Sequence, residues 1–411
     1  MADTNRDRID SLADQYRRLV TRVDERSDWL LAGVFVTLGV MVMLAQYAFI
    51  YFGVQEITQF RFDARTVWRP LAREVLYEGQ PLFGPDQYEN KPPLWQFLNL
   101  AVEYVGPYYL LFYTLTGVAH GVAAFGIYAW ARRYGEARLG ALAALLFLAS
   151  VHAGFMARID PRPYAAALTF AALLSSRATV AGASLAAATT MIQYAFFAVP
   201  VVIWRAVRDR PRREMAWWIA KFGVAGVAVA VVVFGAVGVV WGTTALKYAV
   251  RYTVFMTADY TTTHSILIVP VRVVGGHAAW TTELYAVVIP ATLAIATLLA
   301  DGPDWRSARG ESALLAGSLM LPFVIRPHGM YWYSPLPFLA VLAAFGLRDF
   351  FASEAADAAE EDEREASDAA EEGGREASDA AEEVEREASD AAEEVEREAP
   401  AKSTDDKKRT D

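Results

Sequence analysis

Seven apolar runs leave this chain few ways to fold. They cover residues 29–51, 108–130, 139–155, 216–241, 284–300, 312–325 and 332–350, and polar connections rich in arginine separate them. A helix crosses the hydrocarbon core of a bilayer with about 20 apolar residues, and most of these runs approach or meet that length. A helix also satisfies its own backbone hydrogen bonds, which hydrocarbon cannot do for it. The expectation is therefore an all-α polytopic membrane protein, with the bilayer as its first partner. Residues 1–28 are polar and the first apolar run is long, so a retained anchor is expected rather than a cleaved signal peptide. No cysteine occurs among the 411 residues, which excludes disulfides, thiolate metal sites and cysteine nucleophiles.

The polar residues give an orientation. Arg6, Arg8, Arg17, Arg18, Arg22 and Arg26 precede the first run, and Ile9, Leu12, Tyr16, Leu19 and Val23 recur among them at helical spacing. That pattern suits an amphipathic helix on the cytoplasmic surface, or equally a solvated one. Either way, basic residues favour the cytoplasmic side, so the N-terminus is expected there. The loop 53–107 then lies outside, the turn 132–138 inside, and 156–163 outside. Segment 178–204 is long enough for one span, yet the arginines of 205–213 follow it. Two short helices in a hairpin, broken near Thr190 to Tyr194, would keep those arginines inside. Residues 242–282 form a second large external loop, 301–310 lies inside, and 326–331 outside. Seven tryptophans, Trp29, Trp130, Trp204, Trp217, Trp241, Trp280 and Trp332, fall near these limits, where indole rings prefer to sit.

Charge divides the chain once more. Residues 352–411 hold 24 acidic and 8 basic residues, which leaves 24 acidic and 30 basic for the rest. EREASDAAEE recurs with a period of eleven, marked by Arg364, Arg375, Arg386 and Arg397. An eleven-residue period suits a straight helix, but the seam is mostly alanine and buries little. The expected organisation is a cytoplasmic segment 1–28, a membrane domain 29–352, and an acidic, disordered or helical cytoplasmic tail 353–411. The tail suits a high-salt cytoplasm. No nucleic-acid partner is expected.

Candidate chemistry gathers in three external segments. Asp63 precedes a stripe of Arg65, Arg69 and Arg73, spaced four apart as on one helix face, with Val67, Leu71 and Val75 on the other. That helix is expected to lie at the interface with its basic face toward headgroups. Pro70 should kink it or start a new one, because proline lacks the N–H that a helix interior needs. Asp63 can equally be a cap. Glu89 leads into Lys91-Pro92-Pro93-Leu94, where two prolines set an extended turn and hold the lysine at the bilayer surface. Lys91 can contact a phosphate there, or simply snorkel. Arg158 and Asp160 stand between two apolar runs, where an aspartate is costly unless paired or functional. Arg158 and Arg162 are its nearby partners. Arg326, His328 and Tyr331 open a late motif running to Pro337. Arg326 and His328 can donate to phosphate oxygens, while its aromatic residues can equally form a belt.

In this order the four segments resemble the polytopic GT-C glycosyltransferases, most closely the protein O-mannosyltransferases and lipid A aminoarabinose transferases. The matches are Asp63, the Lys91–Leu94 turn 28 residues later, Asp160, and the stretch from Tyr331 to Pro337. The likeness covers roughly residues 30–350. Ala64 stands where that family often has glutamate, and no large C-terminal external domain is expected. The resemblance implies a GT-C-like bundle of about 8–10 transmembrane or re-entrant helices, with external juxtamembrane helices. It implies a dolichyl- or polyprenyl-phosphate sugar as donor, a glycan, protein or lipid as acceptor, and inversion at the anomeric carbon. Asp63 would act as base and Lys91 on the departing phosphate, with Arg158, Arg326 and His328 as further cations. Asp160 would orient the acceptor, pair an arginine, or join Asp63 in holding a divalent metal. An archaeal surface glycan suits the salt-adapted tail as acceptor. A transporter or flippase for a polar or lipid-linked substrate is the competing class, which a broken helix near Thr190 would suit.

Overall fold

The computed structural model describes residues 28–52, 64–85, 91–150, 159–254, 304–325 and 333–353. Among them all regular secondary structure is helical, with no strand. The helices are α1 (Asp28–Tyr51), α2 (Arg69–Tyr77), α3 (Pro93–Val105), α4 (Tyr108–Arg132), α5 (Ala137–Ala149) and α6 (Arg162–Leu174). They continue with α7 (Ala178–Met191), α8 (Val199–Val207), α9 (Arg212–Val254), α10 (Ala308–Ile325) and α11 (Leu336–Ser353). Four of them, α1, α4, α9 and α11, are long and apolar enough to cross a membrane. The calls on 1–27, on the apolar run 284–300 and on the tail lie outside the described residues. The chain divides into two units, Met1–Leu347 and Arg348–Asp411, and of the second only 348–353 are described.

The helices pack closely where side chains are smallest. Gly39 of α1 meets Gly117 and Gly121 of α4, and a Cβ on Gly39 would stand 2.4 Å from the Gly117 carbonyl oxygen. Gly117 and Gly121 are four apart and share one helix face, the spacing that lets helices approach closely in lipid. Gly126 of α4 is covered by the Phe170 ring of α6, and Gly182 of α7 by the Phe222 backbone of α9.

The bundle has two chemically different ends. At one, Arg132 pairs with Asp28 at the start of α1, and the Arg133 guanidinium donates to the Leu173 and Leu174 carbonyls at the end of α6. Arg205 joins them from α8, donating to the Leu173 carbonyl. This contact settles the path of 178–207. The chain leaves the end of α6, turns into α7, breaks at Ile192 (φ −151°, ψ 126°), and returns through a 3-10 turn and α8 to the carbonyl where it started. The fourteen residues of α7 reach about 21 Å and the nine of α8 about 14 Å, so neither is a full span. The arginines of 205–210 therefore lie at the same end as Arg132 and Arg133.

Two expectations about the spans are revised. In run 139–155 the helix Ala137–Ala149 ends at Ser150 in extended conformation, and residues 151–155 lie outside the described residues. The expected second external loop begins as helix instead. α9 continues through a break at Gly242 (φ +86°), and residues 243–254 pack on the first loop. Val237, Ala245 and Ala249 enclose a small core with Leu71, Leu82 and Phe83, Phe97 stacks on Trp241, and the Tyr252 hydroxyl donates to the Gly84 carbonyl at 3.3 Å.

Candidate functional site

At the end away from the arginines, the first loop is built as two short helical pieces. Residues Ala64–Trp68 form a single π-helical turn, and α2 starts at Arg69 with Pro70 in its first turn. The proline begins a helix here, where its missing N–H costs nothing. The basic stripe is tied sideways to α3 through Glu103, while Arg73 stays exposed. Arg69 Nε donates to Glu103 of α3 at 3.0 Å, its guanidinium lies 5.5 and 5.3 Å from the Tyr108 and Tyr109 ring centres, and Arg73 sits 3.8 Å from Glu103. A carboxylate on the neighbouring helix offers these arginines a nearer partner than a headgroup does. Of Arg65 only the backbone is described.

The Lys-Pro-Pro turn has the expected form. Pro92 is extended (φ −60°, ψ 159°) and Pro93 starts α3. Lys91 is half-buried, its ammonium 5.9 Å from the Trp68 ring centre. Trp68 meets Trp95 edge-on at 5.2 Å, and Trp95 meets Tyr164 at 6.0 Å and Phe112 at 5.4 Å. Trp95 is fully buried, so the turn rests on a wall of rings shared by the first loop, α3, α4 and α6.

Asp160 comes to the same place from 69 residues further along the chain. It precedes α6 and holds the start of that helix. Its Oδ1 accepts from the Arg162 N–H at 2.9 Å, and its Oδ2 accepts from Arg162 Nη1. Arg162 is 2% exposed. Lys91 is near enough to act electrostatically on the Asp160 carboxyl. Burial pushes that carboxyl above the usual carboxylate range, and Arg162 and Lys91 draw it back only in part. Both Asp160 and Arg162 act electrostatically on Tyr333, which stands just before α11.

Behind the pair lies a buried polar row. The Tyr333 hydroxyl and His120 Nδ1 are 2.8 Å apart, and the Tyr164 hydroxyl and Thr116 Oγ1 are 3.0 Å apart. Thr116 is eight residues into α4, or about 12 Å at 1.5 Å per residue. The Asp160 site is thus recessed below the tip of the bundle.

The structure brings together Lys91 and Asp160 among the predicted residues. Asp63, Glu89, Arg158, Arg326, His328 and Tyr331 lie outside the described residues. Arg162, Tyr333, Tyr164 and His120 were not singled out as site residues. A hydroxyl or imidazole within an apolar run was a usable signal, because such a group needs a partner when buried. No group of three metal-ligating side chains forms among the described residues. Asp160 already spends both oxygens on Arg162, and two cations flank it, so it does not favour a further positive ion. Compared with known proteins, the chain matches no family model, no curated protein and no solved structure.

Proposed function

We propose that this chain is a multi-pass membrane glycosyltransferase moving a monosaccharide from a polyprenyl-phosphate donor to a hydroxyl acceptor at the external face. The observation that carries the reading is the convergence of Lys91 with the Asp160–Arg162 pair, two segments far apart in sequence, against one aromatic wall. The reading also rests on the order of motifs from Asp63 to Pro337. The four long apolar helices suit an enzyme whose donor resides in the bilayer.

The chemistry needs two kinds of group. The acceptor oxygen attacks the anomeric carbon while the bond from that carbon to the phosphate oxygen breaks, and the lipid phosphate leaves with the electron pair. The configuration inverts. The acceptor proton passes to a carboxylate within hydrogen-bond reach. Asp63 keeps the role of base in this reading, and Asp160, made more basic by burial, holds or deprotonates the acceptor. Lys91 is a compact cation at the site mouth and stabilises charge gathering on the departing phosphate. Arg162 fixes the Asp160 carboxylate.

The test is glycan and lipid-carrier mass spectrometry on cells lacking the protein, complemented with wild type, Lys91→Ala or Asp160→Asn. A surface glycan short by one sugar, with the lipid-phosphate sugar accumulating, is expected in the null and in both variants. Unchanged glycans and donor pools in the null would overturn the reading. The polar row of His120, Tyr333, Tyr164 and Thr116 inside the bundle favours a second reading, movement of a polar or lipid-linked substrate. Donor accumulating on the wrong face, with transferase activity intact in detergent, would select it.

A further inference from the structure

The arginine-rich end contains a feature that sugar transfer at the opposite end does not use. A cavity of about 230 Å³ opens there between the end of α6, α8 with the turn after it, and the start of α9. Ser175, Ser176, Arg205, Arg208, Arg210 and Trp218 give it its polar lining, and among the described residues no carboxylate lines it.

The hydrogen-bonding capacity of this lining is one-sided. The nearby carbonyls of Leu173 and Leu174 are already capped by Arg133 and Arg205. Arg205 is further committed to Glu311, which lies behind the cavity at 2.8 Å. Arg208 donates through Nε to Asp209 Oδ2 at 3.3 Å, and its buried Nη1 stands 3.7 Å from Glu311 Oε2 with no hydrogen bond among the described residues. Trp218 is 6% exposed, and its Nε1 donor is likewise buried with no hydrogen-bond partner among the described residues. Arg210 donates through Nε to the Ala206 carbonyl at 2.7 Å, which leaves its terminal nitrogens for another acceptor. A buried donor without an acceptor is costly, and one such group rarely persists without a reason. Two such groups in the walls of a cavity lined by three arginines suit a ligand that is all acceptor and negatively charged. The rigid guanidinium fork matches the oxygens of a phosphate.

We propose that this cavity binds a phosphate group. Its two sources are the headgroup of an anionic phospholipid and a free phosphate. The site is separate from the Lys91–Asp160 cluster: α6 lies between them, and its thirteen residues span about 20 Å. The proposal therefore stands or falls independently of glycosyl transfer.

The experiment measures the unfolding temperature of the full chain in nanodiscs of phosphatidylcholine. One arm adds inorganic phosphate against chloride at matched ionic strength, and the other replaces part of the lipid with phosphatidylglycerol. A ligand that binds only the folded state raises this temperature by mass action. A rise with inorganic phosphate identifies a free phosphate species, and a rise with phosphatidylglycerol alone identifies a lipid headgroup. Trp218→Phe keeps the ring stacked on Phe222 and removes only the N–H, and Arg210→Gln removes one charge. Each should raise the ligand concentration needed for half the effect about tenfold, the worth of one charge-assisted hydrogen bond. Ser176→Ala, at an exposed position, is the variant to use if either fails to fold. The proposal is overturned if neither ligand exceeds the chloride control, or if the variants respond at the wild-type concentration.

Discussion

Single residues carry the strongest energetic commitments here, and they are buried charges. Arg162 is held by the Asp160 carboxylate, and Glu311, fully buried, is held by Arg205 at 2.8 Å and by the Tyr134 hydroxyl. Removing one member of a buried pair strands the other in a medium that solvates it poorly, at a cost of about 3–5 kcal/mol. Glu311→Gln should therefore lower stability by about that amount, read as a fall in unfolding temperature in detergent. Burial first, and then the same carboxylate, push the Tyr134 phenol up to about 12, so that hydroxyl stays protonated and donates at any physiological pH. Arg162→Met should destabilise similarly, and Arg162→Met with Asp160→Leu together should recover much of the loss. A double variant no more stable than the single one would show that the pair is not the unit. Asp160 and Lys91 were legible in the sequence because a charge beside an apolar run stands out. Glu311 was not, since it sits at the start of α10 and reads as the polar edge of a span. Only the fold shows that three helix ends close over it.

At the scale of helices, small residues decide which surfaces meet. α1 and α4 approach through Gly39, Gly117 and Gly121, whereas Gly33, on the same helix as Gly39, has nothing within 4 Å of an added Cβ. Gly39→Ala must push backbone from backbone, which costs about 1–3 kcal/mol, while Gly33→Ala should be neutral or slightly stabilising. Thermal unfolding of the two side by side checks the seam, and equal behaviour would remove it. Glycines four apart at 117 and 121 are visible in the sequence. Their partner is not, because glycine spacing marks a face without naming the helix that covers it. The stripe of Arg69 and Arg73 shows the same limit. Its spacing placed Arg69 and Arg73 together but did not reveal Glu103, thirty-four residues from Arg69 in the chain, which pairs with both while Arg73 stays exposed.

For the whole molecule the open quantity is which end faces the cytoplasm, and the absence of cysteine makes it measurable. Every introduced cysteine will be the only thiol in the chain. The arginines at 132, 133, 205, 208 and 210 gather at one end, and basic residues favour the cytoplasmic side. Cysteine at Ser176 or Asp209 should therefore react with an impermeant maleimide only after the membrane is opened. Cysteine at Gln80, exposed in the first loop, should react in intact cells. The pair at 176 and 209 also tests the broken helix. Ser176 precedes α7 and Asp209 follows α8, so the return at Ile192 places both on one side, whereas a continuous span would place them on opposite sides. Labelling of both from outside would invert the orientation and put Lys91 and Asp160 on the cytoplasmic side, where nucleotide sugars are available. The lipid-linked donor would then lose its main argument.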